Sequence, residues 1–300
     1  MQTTTQDAYA KLNLFLAVTE LRPDGFHNLV SLFVRLSLKD RITLTFNDRP
    51  SEDALTSNSQ EIPLNKKDNL VLKASALFRK VYPFKEHVHF HLEKNIPVEA
   101  GLGGGSSNAV ATLLALNKSF GNPLPQETLR NLATQLGSDC PFFVEGYPAI
   151  VRGRGEIIEK VPTEVKNALA GKSLLIFKPN FPVSTPWAYN ELRKDPHLYL
   201  PDLQAETLLK EFQATLVKEK DFPACLAVNS FEKVVFKKFR ALRQLSKELK
   251  EHFNVVCHLC GSGSACYCFI DERTSYKELT QYIQHRLGSN TFCSQVEILA

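Results

Sequence analysis

The strongest chemical signal is one run of residues: Pro97, Val98, Glu99, Ala100, Gly101, Leu102, Gly103, Gly104, Gly105, Ser106 and Ser107. Ahead of it, His87 to Glu93 alternates polar and apolar residues as a strand does. Behind it, Asn108 to Leu116 is good helix-forming sequence. A glycine-rich turn between strand and helix brings unshielded backbone N–H groups close to a ligand. The following helix adds unpaired donors and the positive end of its dipole. Glycine permits that approach and the positive φ angles it needs, and Ser106 and Ser107 can cap the helix and offer hydroxyls to the same anion. The chemistry indicated is phosphate binding. No Gly-Lys-Ser/Thr follows, so this is not a P-loop. Ser106 stands where a dinucleotide fingerprint has its last glycine. A flexible connector is the alternative, weakened by the apolar helix directly behind the loop.

Three other places could complete a site. Lys11 lies within the otherwise apolar strand Ala8 to Thr19, with Asn13 on its face and Leu12, Leu14 and Leu16 on the other. It is either a lysine snorkelling to solvent or a fixed positive charge in a cleft. Asp139, in Leu136 to Phe143, stands between a helix end and a helix begun by Pro141. It is either a helix cap or a carboxylate positioned to take a hydroxyl proton. Gly261 to Ala265 is either a tight turn or a second backbone brought close to the ligand.

The elements that must position these groups follow from periodicity and turn chemistry. Arg22 to Gly25 is a turn, with strands at 28–36 and 41–46 beyond it, a polar loop from Asp48 to Lys67, and helical spacing from Asn69 to Val81. Gln126 to Leu136 forms a helix stopped by Gly137, and a hairpin turns around residues 153–155. Lys166 to Lys172 reads as a linker before the strand Ser173 to Phe177. Phe239, Leu242, Leu245, Leu249 and Phe253 line one face of a long helix whose basic opposite face is most simply solvated. Without regular βαβ alternation, the fold class is α+β. Three hundred residues suggest two domains sharing a cleft.

A net charge of +4 is too mild to imply nucleic acid and suits an anionic small substrate. No apolar run is long enough for a membrane span, and the start lacks a signal or transit sequence, so a cytoplasmic protein with no protein partner is expected. Of the seven cysteines, Cys257, Cys260, Cys266 and Cys268 have zinc-like spacing. They also fall in two strand-like segments, Asn254 to Leu259 and Cys266 to Ile270, flanking the Gly-Ser-Gly-Ser turn. Reduced core thiols are the expected state, with no metal ligands assigned.

In chain order, Ala10 to Leu16, the glycine loop, and the Leu-Gly-Ser-Asp-Cys-Pro-Phe-Phe run around Asp139 resemble the GHMP kinases. The Pro-Asp-Gly-Phe-His run ending at His27 resembles, more narrowly, the branch that phosphorylates a cytidylated methylerythritol in the non-mevalonate isoprenoid pathway. Another sugar or isoprenoid-alcohol kinase of the superfamily is the alternative. The resemblance implies a two-domain fold with the active site in the cleft between domains: residues 1–161 nucleotide-binding and catalytic, 162–300 substrate-binding. It implies ATP as phosphoryl donor, Mg2+, and a small-molecule acceptor carrying cytidine diphosphate. The aspartate matching Asp139 takes the hydroxyl proton, and the lysine matching Lys11 orients it and offsets charge on the transferring group. The loop from Pro97 to Ser107, with Asn69 and Lys94, lies at the nucleotide. His27 hydrogen-bonds the cytosine, Phe26 and Tyr189 stack on it, and Asn13 and Thr185 meet polar groups of the acceptor. Phe26 and Tyr189 stand where tyrosine and phenylalanine are expected. Glu99 and Ala100 replace small residues, so the Glu99 carboxylate either points away from the phosphates or helps hold Mg2+.

Overall fold

Two long strands, β1 (Thr3–Leu21) and β2 (His27–Asn47), run through the centre of the chain's architecture in the computed structural model, which describes residues 3–47, 52–65, 67–219, 222–271 and 273–300. In β1, Leu12, Leu14 and Leu16 are buried, and so are Lys11, Asn13 and Phe15 on the opposite face. The two strands expected at 28–36 and 41–46 are one. No glycine or proline interrupts β2, and its inward-facing row continues through Leu36, Leu38, buried Asp40, Ile42 and Leu44.

The chain forms two compact units that interleave along the sequence. One comprises Met1–Ala10, Leu38–Val98 and Gly103–Gly146; the other comprises Lys11–Ser37, Glu99–Leu102 and Tyr147–Ala300. Compactness divides the chain at points other than residue 161, because β1 and β2 each belong partly to both units.

The first unit adds β3 (Ala54–Ser57), α1 (Leu70–Val81), β4 (His87–Glu93), α2 (Gly104–Ser119), α3 (Gln126–Leu136) and α4 (Cys140–Glu145). The end of β2 pairs antiparallel with β4, from Arg41 opposite Glu93 to Asn47 opposite His87. β3 joins the other edge of β4 in parallel. The stretch expected to be a polar loop therefore contains a strand, too short to announce itself and defined by its partner. Phe46, Phe78, Phe84 and Phe120 pack their rings together between sheet and helices, with Phe84 and Phe120 4.8 Å apart.

The second unit adds β5 (Ala149–Gly153), β6 (Ile157–Lys160), α5 (Thr163–Leu169), β7 (Ser173–Lys178), α6 (Thr185–Arg193), α7 (Asp202–Lys218), α8 (Glu232–Lys238), α9 (Arg240–Phe253), β8 (Cys257–Leu259), β9 (Cys266–Phe269), α10 (Tyr276–Leu287) and β10 (Phe292–Leu299). The start of β2 pairs with β5, and Leu36 faces Ile298 of β10. From β10 the sheet continues antiparallel through β7, β9 and β8. The expected linker at 166–172 is partly helix, because Val165 and Leu169 are buried and anchor α5. α9 buries Leu242, Leu245 and Leu249 as its spacing predicts. Among the described residues no helix is long and apolar enough to cross a membrane.

Candidate active site

The glycine loop meets the expectation of positive φ at Gly101 (77°) and Gly103 (68°), and also places Glu99 at 52°. α2 begins four residues earlier than its apolar run, at Gly104, with Gly103 as a left-handed N-cap that supplies no side-chain acceptor. Ser106 and Ser107 therefore lie inside the first turn and are not caps. The bond from Ser107 N–H to the Gly103 carbonyl (2.9 Å) closes that turn. The preceding N–H groups remain at the helix's positive end without intrahelical acceptors.

Lys94 flanks this turn: a Cβ built on Gly104 would lie 3.1 Å from its Nζ. The ammonium donates to Asp40 Oδ2 (2.8 Å) and to the Ile96 carbonyl. Asp40, fully buried, also accepts from the backbone N–H groups of Asn95 and Ile96 (2.7 Å each) and from Asn108 Nδ2 (2.9 Å). Burial pulls the Lys94 pKa down, and the Asp40 charge opposes that. Asp40 thus ties β2, the segment before the loop and α2 into one frame. Sequence reading missed it, since an aspartate at a strand position resembles a surface residue. Asn69 is the N-cap of α1: its Oδ1 accepts from Val71 N–H (2.8 Å) and its Nδ2 donates to the Pro63 carbonyl (2.8 Å).

In the second unit, Lys11 is only 5% exposed, so it does not snorkel to solvent. Its Nζ donates to Asn13 Oδ1 (2.6 Å) and lies 4.8 Å from the centre of the Phe33 ring. Asn13 Nδ2 donates to Ser31 Oγ (3.0 Å), and Ser31 donates to the Phe15 carbonyl (2.5 Å). The Lys11 backbone N–H donates to the Leu102 carbonyl (2.9 Å), which joins β1 to the glycine loop.

The Gly-Ser-Gly-Ser turn between β8 and β9 completes this arrangement. A Cβ on Gly261 would lie 3.0 Å from the Gly101 carbonyl oxygen and 3.4 Å from Asn13 Oδ1. Ser264 N–H donates to the Glu99 carbonyl (3.4 Å), and Ser262 Oγ pairs with Thr185 Oγ1 (2.7 Å) at the start of α6. The second backbone therefore lies close to the glycine loop. Asn229 holds the turn from behind by donating to the Leu259 and Gly261 carbonyls (2.8 Å each). Ser31 and Asn229 had no motif to reveal them.

Asp139 occupies the N-cap position of α4, with Pro141 in the first turn, but its side chain makes no capping bond. The helix-cap reading thus lacks the interaction that defines it. His27 is buried. It stacks on Tyr189 (4.9 Å, 26°), and its Nε2 lies 3.0 Å from the Tyr199 hydroxyl. Phe26 beside it is 51% exposed, with the Arg154 guanidinium 4.6 Å from the ring centre.

Cys257, Cys260, Cys266 and Cys268 are buried and free, in and around β8 and β9. Hydrogen bonds from Cys266 and Cys268 lower the Cys257 pKa, while burial raises those of the other three. Among the described residues no three histidine, cysteine or acidic side chains form a group able to hold a metal.

Residues 69–147, which carry α1, β4, the glycine loop and Asp139, match the GHMP kinases N terminal domain. The class is therefore that of the GHMP kinases. The 4-diphosphocytidyl-2-C-methyl-D-erythritol kinase of Methylacidiphilum infernorum is 38% identical over 298 residues, covering 97% of this chain and 96% of that protein. Its counterpart in Chloroherpeton thalassium is 35% identical over 264 residues, 88% of each chain. A crystal structure of 4-(cytidine 5'-diphospho)-2C-methyl-D-erythritol kinase superposes with a TM-score of 0.76 at 28% identity, covering 98% of this chain and 99% of that one. The chain belongs to the 4-diphosphocytidyl-2-C-methyl-D-erythritol kinase family.

Proposed function

We propose that this chain transfers the γ-phosphoryl group of ATP to the 2-hydroxyl of 4-diphosphocytidyl-2-C-methyl-D-erythritol, in the non-mevalonate route to isoprenoid precursors. One observation carries the chemistry: Lys11, buried and held on Asn13, sits in a strand hydrogen-bonded directly to the glycine loop. A buried ammonium beside a glycine loop can lower the energy of negative charge gathering there, because charges in such surroundings are weakly screened. The acceptor assignment is supported by relatives of that name matched over nearly the full chain.

In this reading the N–H groups opening α2 and the Lys94 ammonium hold the ATP phosphates. Asp139 accepts the proton of the 2-hydroxyl as its oxygen bonds to the γ-phosphorus and the bond to the β–γ bridging oxygen breaks, releasing ADP. Lys11 lowers the energy of the charge that gathers on the transferring group. Mg2+, arriving with ATP, supplies further charge neutralisation at the phosphates. Ser106 and Ser107 in the first turn of α2, and the Asp139 carboxylate, are oxygen donors of the type that ion takes. Asn69, capping α1, would serve the nucleotide by shaping the start of that helix.

Residues 1–161 carry the nucleotide and catalytic groups, together with Asn13, Phe26 and His27 for the acceptor. Residues 162–300 contribute Thr185 and Tyr189. The half-exposed Phe26 ring suits stacking on the cytosine, whose edge His27 would read. Both substrates are small and soluble, which suits action in the cytosol. Incubation with ATP, Mg2+ and the cytidylated acceptor should yield ADP and the 2-phosphate, with methylerythritol 4-phosphate a very poor acceptor. Efficient phosphorylation of mevalonate or a simple sugar instead would overturn the acceptor assignment.

A further inference from the structure

Three rings meet in the second unit, and a hydrogen bond between two of them decides where one proton resides. The His27 ring lies against the face of Tyr189, and the Tyr199 ring meets it edge-on at 5.6 Å and 66°. The Tyr199 hydroxyl is 3.0 Å from His27 Nε2. Its backbone is fixed: Tyr199 N–H donates to the Pro196 carbonyl (3.1 Å), and Leu200 N–H donates to the Val18 carbonyl of β1 (3.0 Å). Asp195 caps the short turn at Pro196–Leu198 that leads into it. The hydroxyl is therefore delivered to His27 by the fold.

Burial, and secondarily the charge of Arg193, lowers the His27 pKa, so the ring is neutral at pH 7. Burial raises that of Tyr199, so the phenol keeps its proton. A phenol O–H is a better donor than an imidazole N–H, and an imidazole sp2 nitrogen a better acceptor than a phenol oxygen. Tyr199 accordingly donates to Nε2, and the single imidazole proton stays on Nδ1, because the bond at one ring nitrogen sets the state of the other.

We propose that Tyr199 is a specificity-determining positioning residue that holds His27 as the Nδ1–H tautomer, a donor matched to the N3 and O2 acceptors of cytosine. Uracil presents N3–H at the same edge, which opposes donor to donor. This inference rests on the reading that His27 meets the base of the acceptor.

The test compares wild type, Tyr199→Phe and His27→Ala, using the cytidylated acceptor and its uridine counterpart. Tyr199→Phe keeps the ring packing and removes only the hydroxyl. It should reduce the cytidine-over-uridine ratio of kcat/KM about tenfold, the scale of one net hydrogen bond. KM for ATP and the Tm should stay unchanged. In parallel, 15N spectra of the imidazole should show one Nδ1–H tautomer in wild type and a mixture in Tyr199→Phe. An unchanged ratio in Tyr199→Phe, with the ratio lost in His27→Ala, would refute the role of Tyr199 and leave the reading of His27 intact. Full discrimination retained in His27→Ala would show that the base is read elsewhere, and both would fall.

Discussion

Gly101 faces the carbonyl group of Cys260 so closely that a Cβ on it would overlap the oxygen and lie 2.9 Å from the carbon. Two glycine turns remote in sequence thus meet backbone to backbone, beside the strand that carries Lys11 and Asn13. The contact tolerates no side chain, and φ of 77° at Gly101 disfavours one independently. Gly101→Ala should destabilise the protein by about 2 kcal/mol or more through strain and overpacking. Denaturant unfolding of the variant measures this, and wild-type stability would mean that the two turns separate at no cost.

Gly105 presents the opposite case. A Cβ there meets nothing nearer than Leu70 Cδ1 at 3.8 Å, so packing does not require glycine. Because the residue lies within α2, Gly105→Ala should raise stability by about 0.5–1 kcal/mol from helix propensity and backbone entropy. If the first turn receives phosphate, the same methyl group should weaken ATP binding. A stabilised variant with unchanged ATP affinity would place the nucleotide elsewhere.

Lys11→Met keeps most of the buried volume and removes the charge. The expected loss is in kcat, by about 10²–10³-fold, with a smaller change in KM for ATP, because the ammonium acts where charge develops. Removing the ammonium leaves buried Asn13 Oδ1 without its donor, so some loss of stability is expected alongside the loss of charge. The Tm therefore separates catalytic loss from unfolding, and a fully active variant would leave Lys11 without a catalytic role.

Asp139→Asn should lower kcat by about two to four decades while ATP still binds, since the amide keeps the shape but cannot accept the proton. Its side chain makes no capping bond to α4, so a lost helix cap would not explain a lower kcat. Near wild-type turnover in Asp139→Asn would remove the general base from the mechanism.

If His27 meets the cytosine, its protonation should set an acid limit on acceptor binding. Burial first, and Arg193 second, hold its pKa below the ordinary 6.5. Between the folded-state value and 6.5 the unfolded chain binds more protons, so the stability contributed by neutral His27 is present above 6.5 and is lost as pH falls through the folded pKa. KM for the cytidylated acceptor should be flat near pH 7 and rise below the ordinary histidine range. His27→Gln should abolish that rise, and a rise that persists in the variant would assign it to another group.

The glycine loop was legible because its requirement is local. Positive φ at Gly101 and Gly103 is a property of a few consecutive residues, and glycine adopts it without strain. The helices α1, α3 and α9 and the hairpin of β5 and β6 were legible for the same reason: periodicity and turn residues lie within each element. β3 was not, because four polar-leaning residues become a strand only when β4 lies alongside. The single long β2 and the helix α5 were obscured in the same way, by partners outside the local window.

The amino-acid sequence by itself determined the α+β class, the glycine loop and the order of chemical groups along the chain. Only the tertiary structure shows that Lys11 is buried, that Asp139 makes no capping bond and that the Gly-Ser-Gly-Ser turn lies against the glycine loop. It also brought in Asp40, Tyr199 and Asn229, none of which carries a motif. The reason is physical. Whether a charge is buried, capped or paired depends on atoms supplied by segments far away in sequence: Asn13 and Phe33 around Lys11, Cys260 against Gly101, and Tyr199 on His27. Spacing can nominate such residues, but only the packed chain gives them partners.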